Sequence, residues 1–190
     1  MDLLTEHPTT RSPEEEEVFR SQGYRLIERE PILALLMERH GFPPELFKSL
    51  LFFQISEKIV RATSAEVELF DEPVIDRVGI DFLRIDMAVP RLTSTAAMTF
   101  GSAALLNVVD LNADLCEAYL NRERLHLSPD LMKHCTSRGF IILRFDGHGL
   151  GLGFLESTSQ KDSNCGEVRS LFPSAFAADL RNHSPFGNPS

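Results

Sequence analysis

The chain opens without periodicity. Residues 1–12 read as a disordered leader, and the first repeat of apolar positions comes in "SPEEEEVFRSQGYRLIERE". There Ser12 suits an N-cap, Pro13 the first helical position, and Glu14 to Glu17 the first turn, where carboxylates meet the positive end of a helix dipole. "PILALLMERHGFPPELFKSL" predicts a second helix with Ile32, Leu35 and Leu36 on one side, stopped by Gly41 and by Pro43 and Pro44 beyond it; a short third helix follows from Pro44. The period then drops to two. "LLFFQIS" and "KIVRAT" are β-rich runs, and "AEVELF" and "DRVGIDFLRID" alternate as half-buried strands do.

From Arg91 onward, "RLTSTAAMTFGSAALLNVVDL" predicts a helix over 93–104, capped by Thr93 or Ser94, followed by a short strand in "NVVDL". "NADLCEAYLNRERLHL" adds a helix carrying Leu115, Ala118 and Tyr119, with a strand-like exit. "GFIILRF", "GLGLGFLE" and "EVRSLFP" supply three more strands. The whole reads as α+β: helices on a small sheet over residues 13–106, then a mostly β unit over 107–182, most economically a β-barrel with one or two helices, and a flexible tail over 183–190.

Within that β unit, "RFDGHGLGLGFLES" has glycine at 147, 149, 151 and 153. It matches no phosphate-binding loop: there is no following Lys-Ser or Lys-Thr, and the segment continues as a strand instead of opening a helix. Asp146-Gly147 fits a hairpin turn with His148 in it. Glycine at alternate strand positions strips side chains from one face, allowing close packing or the close approach of an RNA backbone.

Composition narrows the function. The net charge of −9 is uneven: residues 1–90 hold 10 basic and 18 acidic side chains, residues 91–190 hold 9 and 10. If either half meets a polyanion it is the second, since such affinity depends on clustered Lys and Arg. No apolar run spans a bilayer and no secretory signal opens the chain, so no membrane partner is expected and the location reads as cytoplasmic, or nucleolar in a eukaryote. Cys116, Cys135 and Cys165 form no C-x-x-C pair, the six histidines form no metal-binding pattern, and no serine sits in a nucleophile elbow. No cofactor, no metal and no enzymatic activity are expected. What remains is a set of basic side chains, Arg91, Lys133, Arg138, Arg144, Lys161, Arg169 and Arg181, with His148 beside them, as contacts for RNA phosphates and bases.

Three segments in order, "RLTSTAAMTFGSAALLNVVDLNADLCEAYLNRERLHL", "GFIILRFDGHGLGLGFLE" and "GEVRSLFPSAFAADLR", resemble the RNA-binding C-terminal region of Sun-type RNA cytosine-5 methyltransferases, a PUA-like domain. "ERHGFPPELFKSLLFF" resembles the segment that precedes it there. The order of elements is also similar to ribosome-biogenesis factors built from a pre-PUA and a PUA domain. Both resemblances imply a PUA-like fold and RNA binding. No methyltransferase domain is expected with these segments, and Ser174 stands where the methyltransferases have Lys. The expectation is therefore a non-enzymatic accessory protein acting on structured rRNA or tRNA, alone or with ribosome-assembly proteins or a separate methyltransferase. The alternative is a scaffold whose acidic first domain docks such a protein.

Overall fold

A computed structural model describes residues 17, 19–67, 78–157 and 166–182. The fold is α+β, and one of its sheets is a curled half-barrel. Two compact units divide the chain: Met1–Glu38 with Phe42–Leu92, and Arg39–Gly41 with Thr93–Ser190. The division after Leu92 puts residues 93–106, expected with the first domain, into the second unit.

The first unit is built on an antiparallel meander of β1 (Arg25–Leu26), β2 (Leu50–Ser56), β3 (Ile59–Ser64), β4 (Ile80–Arg84) and β5 (Arg91–Leu92), paired in chain order. Helix α1 (Arg29–His40) buries Ile32 and Leu36, leaves Leu35 half-buried, and ends at Gly41 with φ +62°. A 3-10 turn covers Pro44–Phe47. Aromatic side chains fill the core: Phe53 meets Phe19 and Tyr24 edge-on at 6.0 and 5.1 Å, and Phe82 meets Phe47 and Phe52 at 5.7 and 5.2 Å. The strand expected in "AEVELF" is a turn at Ala65 and Glu66, and its residues 68–70 lie outside the described residues. So do Ser12, Pro13 and Glu14 to Glu16, while Glu17 and residues 19–21 are helical.

The second unit holds β6 (Val108–Asp110), β7 (Arg124–Leu127), β8 (Gly139–Phe145), β9 (His148–Ser157) and β10 (Gly166–Ser170), ordered β6-β8-β9-β10-β7. Among the described residues, β6 and β8 form the one parallel pair of this sheet. Helix α2 (Ser94–Phe100) is capped by Thr93, whose Oγ1 accepts from the Ala96 amide at 3.1 Å, and it tightens into a 3-10 turn over Gly101–Ala103. Helix α3 (Ala113–Leu120) is capped by Asn112 in the same way at 2.9 Å, and α4 covers Ser174–Asn182.

The hairpin turn is two residues, Asp146 and Gly147, with φ of +50° and +77°, as the right-handed twist of β8 and β9 requires. His148, expected in the turn, instead opens β9 and pairs with Phe145. Nor do the glycines share one face. Leu143 pairs with Gly151 but the next residue, Arg144, pairs with Gly149, so Leu150 is the extra residue of a bulge and Gly149 changes face. Gly151 and Gly153 lie on the inner face, where a Cβ would meet Tyr119 Oη and Val168 Cγ1, each at 2.6 Å. Gly149 lies on the outer face under the Ala97 carbonyl and Gly101 of α2 and its 3-10 extension. Both sets of neighbours are parts of this protein. Tyr119 is fully buried there and its hydroxyl donates to the Leu152 carbonyl at 3.1 Å.

Inner-face residues Ile141, Leu143, Leu155, Val168, Leu125 and Leu127 pack with α3 through Tyr119 and Cys116 as one core. Burial raises the Cys116 thiol above its usual range. A second polar anchor lies under Arg39 and His40: Asn107, buried at φ +48°, donates to the Arg39 carbonyl at 2.6 Å and accepts from the Thr136 amide and hydroxyl at 3.0 and 3.2 Å.

Candidate functional site

The outer face of the second sheet carries one register row across four neighbouring strands. Phe140 on β8 pairs with Phe154 on β9, Phe154 with Arg169 on β10, and Arg169 with Arg124 on β7. Alternation explains why these residues point out: Ile141, Leu155, Val168 and Leu125, their neighbours in sequence, are all fully buried on the inner side. The two phenylalanines are half-buried, their ring centroids 5.1 Å apart and their planes at 74°. The guanidinium carbons of Arg169 and Arg138 lie 5.5 and 5.7 Å from the Phe154 centroid, so one ring carries two cations on its negative π-cloud.

Carboxylates hold Arg169 and its neighbour Arg124 in place. Glu156 accepts from Arg124 Nη1 at 3.0 Å and stands 3.5 Å from Arg169 Nε; Arg124 also pairs with Glu167. Arg124 and Arg169 nevertheless keep 59% and 56% of their side chains exposed, so both can exchange a carboxylate for an incoming anion. Three arginines against two glutamates leave the row modestly cationic. Arg39 fixes its β8 end, donating to Ser137 Oγ at 2.9 Å and to the Phe140 carbonyl at 3.2 Å.

Farther along the same face the sheet is covered. Ile142 and Leu152, the pair next to Phe140 and Phe154, are fully buried, and a Cβ on Gly101 would stand 2.9 Å from Ile142 Cγ2. The helix end therefore closes one part of the face and leaves the Phe140 row beyond it.

Of the described residues singled out from the sequence, only Arg138 and Arg169 come together here. Arg144, in the covered part, is engaged within the fold: Nε and Nη2 donate to Asp110 at 2.8 and 2.7 Å, and Nη1 donates to the Ser102 and Ala104 carbonyls at 3.0 and 3.2 Å. These hydrogen bonds hold the Asp110 carboxyl below the usual carboxylate range. Lys133 is exposed in the turn after β7 and adds to the positive field at Asp110, away from the row. His148 is exposed at the hairpin end of β9. Arg91, grouped with the β unit from the sequence, belongs to the first unit, where it opens β5 opposite Arg84. Lys161 lies outside the described residues, and of Arg181 only its place in α4 is described.

Sequence reasoning passed over Phe140, Phe154, Arg124 and Glu156. A partial signal was there: in "RLHL" and "FLES" Arg124, Phe154 and Glu156 alternate with the buried Leu125, Leu127 and Leu155, whereas "GFII" is apolar on both sides and gives no sign that Phe140 faces out. Among the described residues no group of three or more His, Cys, Asp or Glu could hold a metal ion, and no helix is long and apolar enough to cross a membrane. No protein-family model matches the chain, and no curated protein is significantly similar to it.

Proposed function

We propose that the protein is a non-enzymatic RNA-binding accessory factor, PUA-like in its second unit, that engages rRNA or tRNA in ribosome biogenesis or RNA modification through the outer face of the second sheet. The observation that carries this reading is the Phe154 ring with Arg138 and Arg169 against it, in register with Phe140 and Arg124. Bases stack on aromatic rings and on guanidinium planes, and an exposed guanidinium that lies over the Phe154 ring can yield that face to a base and turn its charge to the phosphate. The resemblance of the same segments to PUA-like regions points the same way.

Arg124, Arg138 and Arg169 are the phosphate contacts in this reading, and Arg144 is not. Fluorescence anisotropy with labelled bulk tRNA tests it. Neutralising one or two phosphates lowers affinity roughly threefold to sevenfold between about 50 mM and about 200 mM salt. Absence of binding at the lower salt, or an affinity indifferent to salt, overturns the reading in favour of a protein partner.

A further inference from the structure

We infer that the RNA element this face takes is an unpaired segment of about two splayed nucleotides, held by stacking, and not a duplex. The inference rests on the RNA-binding reading above and is carried by three observations.

The first is the angle between the rings. Bases in a duplex are parallel and stacked on each other, whereas the Phe140 and Phe154 planes are inclined at 74°. A nucleic acid that used both rings would have to turn its two bases away from each other. Only an unpaired segment can do so, and unpaired, splayed bases are what proteins read on RNA by stacking.

The second is charge. Glu156 and Glu167 offset most of the positive charge of Arg124, Arg138 and Arg169. Duplex RNA is held through its phosphates across successive grooves, which needs many uncompensated cations. With Arg39 at its β8 end, the row has a surplus for about one or two phosphates, far fewer than a duplex contact uses. Its binding strength must come from the rings.

The third is extent. Four adjacent strands spaced about 4.8 Å apart place Phe140 and Arg124 roughly 14 Å from each other. That length suits a two-nucleotide contact with a phosphate at the arginine end. Ile142 and Leu152, covered by the helix end, bound the platform on one side.

The sequence contains no tryptophan, which makes a direct readout possible. In full-length protein carrying Phe154→Trp, titration with a single-stranded RNA of about twelve nucleotides should quench the new fluorophore, and the same strand annealed to its complement should bind at least about tenfold more weakly. Phe154→Leu keeps apolar bulk but offers no ring face. It should weaken single-strand binding roughly tenfold, the worth of one stacked base, with a thermal midpoint close to that of the parent protein. Phe154→Tyr should restore the parent affinity. Equal or tighter binding of the duplex, or binding without quenching, overturns the inference while leaving the RNA reading standing. Failure of both RNAs to bind any of the four proteins overturns that reading, and this inference with it.

Discussion

Asp110 and Arg144 face each other across the parallel strands β6 and β8, joined by two hydrogen bonds of 2.8 and 2.7 Å, while the remaining arm of the guanidinium gathers the Ser102 and Ala104 carbonyls. One side chain therefore ties an edge strand, a central strand and the 3-10 turn together. Arg144→Gln should cost about 2 kcal/mol of unfolding free energy, because it breaks charge-assisted bonds and leaves two carbonyls without their donor. Asp110→Asn should cost less, under about 1 kcal/mol, since the Asp110 side chain is 60% exposed. Urea unfolding measures both. RNA affinity of the folded Arg144→Gln protein should stay within about twofold of the parent; a loss as large as that of Arg169→Ala would return Arg144 to the binding surface.

Burial and the neighbouring Arg39 charge lower the His40 imidazole to about 4. The group is neutral in the folded state and protonates more readily once unfolded, so the unfolded state binds more protons between about pH 6.5 and pH 4. Stability is complete above that window and falls with pH inside it. Between about pH 7 and pH 5 the loss should be about 2 kcal/mol. A His40→Gln protein should show a flatter profile over that interval in urea unfolding; an unchanged slope would assign the effect elsewhere. Asp110 acts lower: with its folded pKa below the unfolded one, its contribution is present above the ordinary carboxylate range and is lost as pH drops through the folded value.

The alternate glycines separate into costly and tolerant positions. Gly149→Ala drives a methyl into the Ala97 carbonyl and should destabilise by about 2 kcal/mol or more. Gly147→Asn meets open space, and asparagine tolerates the left-handed turn, so its cost should stay under about 1 kcal/mol. Thermal melts of the two variants rank them; equal costs would mean that α2 does not rest against β9 at Gly149.

On the exposed row, Arg138→Ala with Arg169→Ala should weaken RNA binding while shifting stability by less than about 1 kcal/mol, as expected of surface ion pairs and exposed cation–π contacts. Glu156→Gln should act oppositely. It removes the carboxylate that Arg124 and Arg169 share and should raise RNA affinity roughly threefold at low salt, less at high salt. Weaker binding by Glu156→Gln would mean that the carboxylate positions the arginines instead of competing for them.

Local pattern foretold much of this structure because local physics determines it. The Thr93 cap, the Gly41 stop and the Asp146-Gly147 turn are each set by a few adjacent residues, and each forms where the sequence places it. The row was hidden because it depends on pairing between distant segments. Arg124 reaches Arg169 only through the β10–β7 ladder, and Arg169 reaches Phe154 only after the register shift between Glu167 and Val168. Arg144 misled for the same reason. Beside a glycine-rich hairpin it looks available, but its partner Asp110 arrives by a parallel pairing from 34 residues away. The bulge at Leu150, which turns Gly149 outward, leaves no mark in the composition of the strand.

The two-residue turn between β8 and β9 also sets an order of events. Closing so short a loop costs little chain entropy, whereas β7 must find β10 across some forty intervening residues. The hairpin bearing Phe140 and Phe154 is thus the natural seed of the second unit's folding, and Arg124 joins it late. An aromatic pair assembled early and a cation delivered last make Arg124, not the rings, the part of the row that partial opening of the sheet removes first.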